Sequence, residues 1–252
     1  MSGGNRHEIN GKNPYFIQAS AFQLPMNTAI IVAAGSSSRF GTEQPKQFVE
    51  ILGKPLIIHT LDRFQACPAV DEIVLVLPES AITEFQISYF RSEITKLRNI
   101  VAGGSTRAES VNNGLNAVDE RAKIVAVHDG ARPLVSVDEI HEIIEKAKQA
   151  GAACLVATVT DTIKTIRGDE ISGTLDRDKL RRALTPQAFK TEILRRAYAL
   201  GDLTEAATDE CYLVEKLGHP IAFVEGSSRN IKITQPEDML FLEFFLRQTI
   251  HV

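Results

Sequence analysis

The sequence predicts an α/β fold, a mostly parallel sheet with helices on both faces and one projecting β-arm. Apolar runs of strand length recur at 29–33, 73–77, 124–127 and 152–159, separated by segments with one apolar face at helical spacing. Strands that are apolar on both sides belong to a parallel sheet buried on both faces. The alternation fails over 160–180, where two short polar β-like pieces flank a Gly168-Asp169 turn. A two-stranded hairpin is barely stable alone, so this one is expected to lie against something, with a second subunit the natural candidate.

The elements follow in order. Residues 1–26 lack the basic start and apolar centre of a secretory signal and are expected to be an extension, partly disordered; 27–252 is read as one domain with its arm at about 160–180. After the strand at 29–33, residues 55–64 place Ile57, Leu61 and Phe64 on one buried helical face, Pro78 stops the strand at 73–77, a helix covers 83–89, and a short strand at 99–102 runs into Gly103-Gly104. Thr106 with Glu109, and Ser136 with Glu139, are capping boxes that open helices before and after the strand at 124–127. Past the arm come helices at 192–200 and 209–217, a strand at 221–225, and a short strand at 231–233 with Lys232 between two isoleucines. A last helix is introduced by Thr234-Gln235-Pro236-Glu237, read as a third capping box. Ligands of such sheets bind beyond the carboxyl ends of the strands, so the loop after Ala33, Gly103-Gly104, Asp129 and the segment after 159 are expected along one edge.

Composition excludes several classes. A net charge of −4 and a pI of about 5.9 do not suit non-specific nucleic-acid binding, so an anionic ligand must be met by locally placed Arg and Lys. No run approaches the roughly 18 apolar residues of a membrane span. Cys67, Cys154 and Cys211 have no metal or redox spacing and are expected as buried thiols of a cytoplasmic protein.

The stretch at 29–48, AIIVAAGSSSRFGTEQPKQF, carries the chemistry. A dinucleotide fingerprint would need glycines where Ser37 and Phe40 stand, and a P-loop would need Lys directly after Gly41; both fail, which disfavours a dehydrogenase. What remains is a small-residue loop whose backbone can approach phosphate oxygens, with cations at Arg39 and Lys46. A catalytically silent nucleotide binder would not need that pair.

AAGSSSRFGTEQPKQF resembles the Ala-Ala-Gly-x-x-x-Arg-x-Gly-x-x-x-Pro-Lys-Gln signature of the cytidylyltransferases that act on polyol phosphates. Later blocks extend the resemblance to about residue 251: GSTRAESV (104–111), HDGARP (128–133), DTIK (161–164), Asp176-Arg177, LTPQ (184–187), ATDE (207–210) and NIKIT (230–234). The resemblance implies a Rossmann-like fold and a homodimer with shared sites. It further implies transfer of a cytidylyl group from CTP to 2-C-methyl-D-erythritol 4-phosphate in isoprenoid synthesis, with ribitol 5-phosphate as the alternative acceptor.

Residue by residue, the resemblance implies that Ala34, Gly35, Arg39 and Lys46 contact nucleotide and triphosphate, and that Gly104 and Ser110 face the cytosine. Relatives often carry an acid where Ser105 stands here. Asp129 matches an acid near ribose and Mg²⁺, the cation expected to relieve repulsion between a carboxylate and polyphosphate. Arg132, Thr185, Thr208 and Lys232 match positions near the polyol phosphate, while Thr162 and Arg177 match residues supplied by the neighbouring subunit's arm. A phosphate monoester is already largely dianionic at neutral pH, its second pKa being about 6. No general base is needed, and Arg39, Lys46 and Lys232 are expected to work by preorganised positive charge. Strand alternation places His128 on the opposite side from Asp129, outside the chemistry.

Overall fold

Ile30 and Ile31 sit side by side in β1 (Met26–Val32), and each is wholly buried in a different hydrophobic cluster. Side chains alternate across a strand, so both faces of β1 are covered. The computed structural model describes residues 25–35, 40, 45–89, 94–201 and 208–250. Met26, read from the sequence as the end of an extension, opens β1; the rest of that extension, apart from Pro25, lies outside the described residues.

The chain continues through a small pair, β2 (Glu50–Ile51) and β3 (Lys54–Pro55), then α1 (Leu56–Ala66), β4 (Glu72–Leu77), α2 (Glu79–Tyr89), β5 (Leu97–Ala102), α3 (Arg107–Asn116), β6 (Ala122–Asp129), α4 (Val137–Ala150) and β7 (Ala152–Thr158). The hairpin β8 (Lys164–Arg167) and β9 (Glu170–Thr174) follows, then β10 (Arg181–Lys190), α5 (Thr191–Leu200), α6 (Glu210–Lys216), β11 (Ala222–Glu225) and α7 (Asp238–Ile250). Among the described residues the main sheet has seven strands in the order β11-β7-β10-β6-β1-β4-β5. Helices α1 and α4 cover one face, through Leu61, Phe64, Ile140 and Ile144; α3, α5 and α6 cover the other, through Val111, Leu115, Leu194 and Val214.

All neighbours pair in parallel except β10, which runs antiparallel between β6 and β7. The sequence reading placed no strand here; a proline inside a run ordinarily argues against a central strand. Pro186 is accommodated where the β10–β7 register shifts, between Ala183 and Gln187. Two further expectations are corrected. Residues 231–233 form no strand, and Ile233 donates a single backbone bond to the Ala131 carbonyl at 2.8 Å. The acid that reaches back before α7 is Asp238, one residue beyond Glu237; it accepts from the backbone N–H groups of Thr234 and Gln235 at 2.7 and 2.9 Å. The capping boxes at Thr106 and Ser136 are both present.

The three cysteines are free and buried. Among the described residues no helix is long and apolar enough to cross a membrane. The arm turns at Gly168, whose φ of 59° lies in the left-handed region that only glycine enters without strain.

The carboxyl end of β6 is anchored through His128, which is wholly buried against Phe64 of α1. The backbone N–H of Asp129 donates to Thr185 Oγ1 at 3.1 Å, the Thr185 hydroxyl lies 3.0 Å from His128 Nδ1, and His128 Nε2 lies 3.1 Å from the Arg132 carbonyl. A carbonyl can only accept, so Nε2 carries the proton and Nδ1 accepts from Thr185. Burial pushes the His128 pKa from 6.5 down to about 3. The neutral ring is therefore the folded form, and its contribution to stability is present above pH 6.5 and lost as pH falls toward 3, because the unfolded chain takes up the proton first. In urea unfolding at pH 7 and pH 5, the wild type is expected to lose about 2 kcal/mol more than His128→Gln over that interval, at 1.36 kcal/mol per pH unit. Equal losses would show that another group carries the effect.

Candidate active site

Three backbone bonds of 2.8 Å lock the strand ends into one edge: Ala33 N–H to Val76, Gly103 N–H to Leu77, and Gly130 N–H to Val32. A cavity of about 450 Å³ opens over that edge. Its walls include Ala34 and Gly35 from the loop after β1, Gly104, Ser110 and Arg107 around the start of α3, Asp129 from the end of β6, and Lys46 and Lys232 opposite. Seven residues singled out in the sequence thus line one cavity. Among the described residues its lining carries the cations Lys46, Arg107 and Lys232 against one carboxylate, in a chain whose net charge is −4.

Asp129 is the junction. Its Oδ1 accepts from Arg107 Nε at 3.2 Å, and its Oδ2 accepts from Arg132 Nε at 3.1 Å and forms an ion pair with Lys232 Nζ at 3.0 Å. Burial alone would raise its pKa; Arg107, Lys232 and Arg132 outweigh burial and hold the carboxyl well below the usual carboxylate range. Lys46 donates to the Ile233 carbonyl at 2.7 Å, which ties the loop after β1 to the segment that carries Lys232.

The start of α3 shapes the opposite wall. Gly104 N–H donates to Ser110 Oγ at 3.0 Å, and the Ser110 hydroxyl donates to the Thr106 carbonyl at 2.9 Å. A Cβ on Gly104 would overlap the Glu109 side chain, so glycine is required for this close approach. Ser105 bonds Glu109 through both its N–H and its hydroxyl and so joins the helix cap.

Other sequence-predicted residues lie elsewhere. Arg39 falls outside the described residues. Arg132 stands behind Asp129 and also donates to the Asn230 carbonyl at 2.9 Å. Thr185 lies beneath Asp129 with its hydroxyl taken up by the His128 network. Thr208 is exposed just before α6. Thr162 and Arg177 are exposed at the base of the arm, where Arg177 donates to the Thr160 carbonyl at 2.7 Å, and neither lines this chain's cavity.

Two site residues were not singled out from the sequence: Arg107, and behind it the buried Glu210. A signal did exist. Arg107 is the first residue of α3, and a cation at a helix N-terminus opposes the macrodipole, so it calls for an anionic partner. Gln187 of β10 sets the start of α6 by accepting the N–H groups of Glu210 and Cys211, each at 3.1 Å.

Residues 27–248 match the family model described as 2-C-methyl-D-erythritol 4-phosphate cytidylyltransferase. The protein of that name from Syntrophus aciditrophicus is 42% identical over 227 residues, spanning 89% of this chain and 97% of the relative. Its counterpart from Geobacillus kaustophilus is 41% identical over 219 residues, spanning 86% and 96%. Among solved structures, a 4-diphosphocytidyl-2C-methyl-D-erythritol synthase from Anaerococcus prevotii aligns with a TM-score of 0.76 at 28% identity, covering 88% of this chain and 96% of that one. The 2-C-methyl-D-erythritol 4-phosphate cytidylyltransferase of Thermus thermophilus aligns at 0.68 with 31% identity, covering 86% and 98%.

Proposed function

The chain belongs to the 2-C-methyl-D-erythritol 4-phosphate cytidylyltransferase family, and from that premise we propose how its cavity works. The protein is a CTP-dependent nucleotidyltransferase of isoprenoid synthesis, joining the cytidylyl group of CTP to 2-C-methyl-D-erythritol 4-phosphate and releasing pyrophosphate. The family model and the relatives carry the methylerythritol name, so ribitol 5-phosphate is not the favoured acceptor.

The observation that carries the mechanism is the surplus of positive charge on the cavity wall: Lys46 and Lys232 stand against one carboxylate, Asp129, while Arg107 is balanced by the buried Glu210 behind it. The reaction brings a phosphate monoester dianion onto a triphosphate, and mutual repulsion is its main obstacle. A phosphate oxygen of the acceptor attacks the α-phosphorus of CTP in line; the new P–O bond forms as the bond to pyrophosphate breaks, and no proton has to be removed. Lys46, with Arg39 in the same role, steadies the triphosphate; Ala34 and Gly35 run beneath the nucleotide, and Gly104 with Ser110 meets the base. Lys232, beside Asp129, draws the acceptor phosphate toward the α-phosphorus. Arg132 and Thr185 hold this half of the site from behind, and Thr208, exposed just before α6, would meet the acceptor.

Mg²⁺ commonly binds through one or two carboxylates together with phosphates and water. Among the described residues there is no group of three metal-ligating side chains, and Asp129 is the carboxylate on the cavity wall. A carboxylate offers about four lone-pair sites, of which Arg107, Arg132 and Lys232 take three, so Asp129 fits as a single ligand beside the triphosphate. Bound there, Mg²⁺ would neutralise part of the charge on the phosphates.

The site is completed by a second copy of the chain. Ile166 and Ile171 on the arm are 74% and 69% exposed, apolar surface that supports burial against a partner. Thr162 and Arg177 would then serve the partner's acceptor site.

With CTP, 2-C-methyl-D-erythritol 4-phosphate and Mg²⁺, pyrophosphate release is expected, and Lys46→Ala should lower kcat/KM by about 100- to 1000-fold, the loss seen when one such donor is removed. A silent wild type would sink the function, and a Lys46→Ala enzyme within tenfold of it would sink the role of Lys46. The double variant Ile166→Asp/Ile171→Asp should sediment as a monomer with impaired turnover; a fully active dimer would contradict the arm's role.

A further inference from the structure

Buried carboxylates should be accounted for one by one, because each is costly to keep away from water. Among the described residues the buried ones are Asp129, Glu139 and Glu210. Asp129 lines the cavity, and Glu139 closes the α4 capping box and accepts the Ser227 N–H at 2.6 Å. Glu210 remains, and the reaction described above does not use it.

Glu210 is the first residue of α6, and its side chain is 1% exposed. Its two oxygens accept from Arg107 Nη1 and Nη2 at 2.7 and 3.1 Å, a bidentate pair, and Oε1 also accepts from the Tyr198 hydroxyl at 3.1 Å. The third guanidinium nitrogen, Nε, is the one that reaches Asp129. A guanidinium is planar, so gripping one edge fixes the direction of Nε. A buried ion pair is seldom more stable than an apolar replacement, so stability is a weak reason for placing two charges here. Orientation is the stronger reason.

We infer that Glu210 is a positioning residue for the cytidylyl transfer, acting through Arg107. It aims the Arg107 Nε at Asp129, and it balances a charge that would otherwise be free to turn toward the triphosphate and hold it out of line. The inference rests on Asp129 being part of the reacting site.

Glu210→Gln keeps the shape and an acceptor for Tyr198. With the folded fraction matched by circular dichroism, its kcat should fall by about 10- to 100-fold, the cost of a small misplacement, while KM for CTP stays within about threefold. Arg107→Ala should lose activity and regain part of it, saturably, in low millimolar guanidinium chloride, because the ion can dock on Glu210 in the vacated space. The double variant Arg107→Ala/Glu210→Gln should show no such rescue. Wild-type kcat in Glu210→Gln, or equal rescue in the double variant, would overturn the inference; if Arg107→Ala does not fold, the kcat and KM of Glu210→Gln decide alone. Failure of the wild type to release pyrophosphate would instead overturn the functional reading beneath it.

Discussion

The structure turns on one buried carboxylate that stays charged. Asp129 sits at the end of the central β6 strand with Arg107, Arg132 and Lys232 around it, brought from α3, the loop after β6 and the segment before α7. Each of these cations would repel the others without it. With it, they converge on one edge of the sheet, where their surplus charge can meet phosphates. The burial that makes the carboxylate expensive also strengthens each of these attractions, because little water screens them.

The fold supplies the rigidity this needs. Parallel strands end together, so β1, β4, β5 and β6 deliver their loops to one edge, and backbone bonds between those loops close it. The antiparallel β10 contributes from the far side. Its Thr185 takes the Asp129 N–H and its Gln187 takes the first N–H groups of α6, so one strand fixes both the cavity carboxylate and Glu210. The neutral His128 locks the same strand end from the opposite face, a structural histidine beside a charged aspartate.

Much of this was legible in the sequence because its signals are local. Apolar runs gave the parallel strands, and Thr106 with Glu109 and Ser136 with Glu139 gave two helix starts, since a capping box spans only four residues. The cavity residues from Ala34 to Lys232 came from the resemblance of their sequence blocks to those of the polyol-phosphate cytidylyltransferases. What stayed hidden depends on distant pairing. Pro186 disguised β10, a strand held by its neighbours despite a missing donor. The Arg107–Glu210 pair joins residues 103 positions apart; Arg107 at a helix start calls for an anion, but nothing local says which one. Asp238 in place of Glu237 before α7 is a one-residue ambiguity that spacing alone does not resolve.

The central claim is that Asp129 remains ionised because three cations hold it so. The most direct measurement is the side-chain carboxyl ¹³C shift of Asp129, assigned against Asp129→Asn and followed from pH 7.5 to pH 4 in the ligand-free protein. The expected result is a flat line over the whole range. A titration step within it, of the kind an ordinary aspartate begins to show toward pH 4, would mean that the cations do not grip the carboxylate and that the cavity is organised by something else.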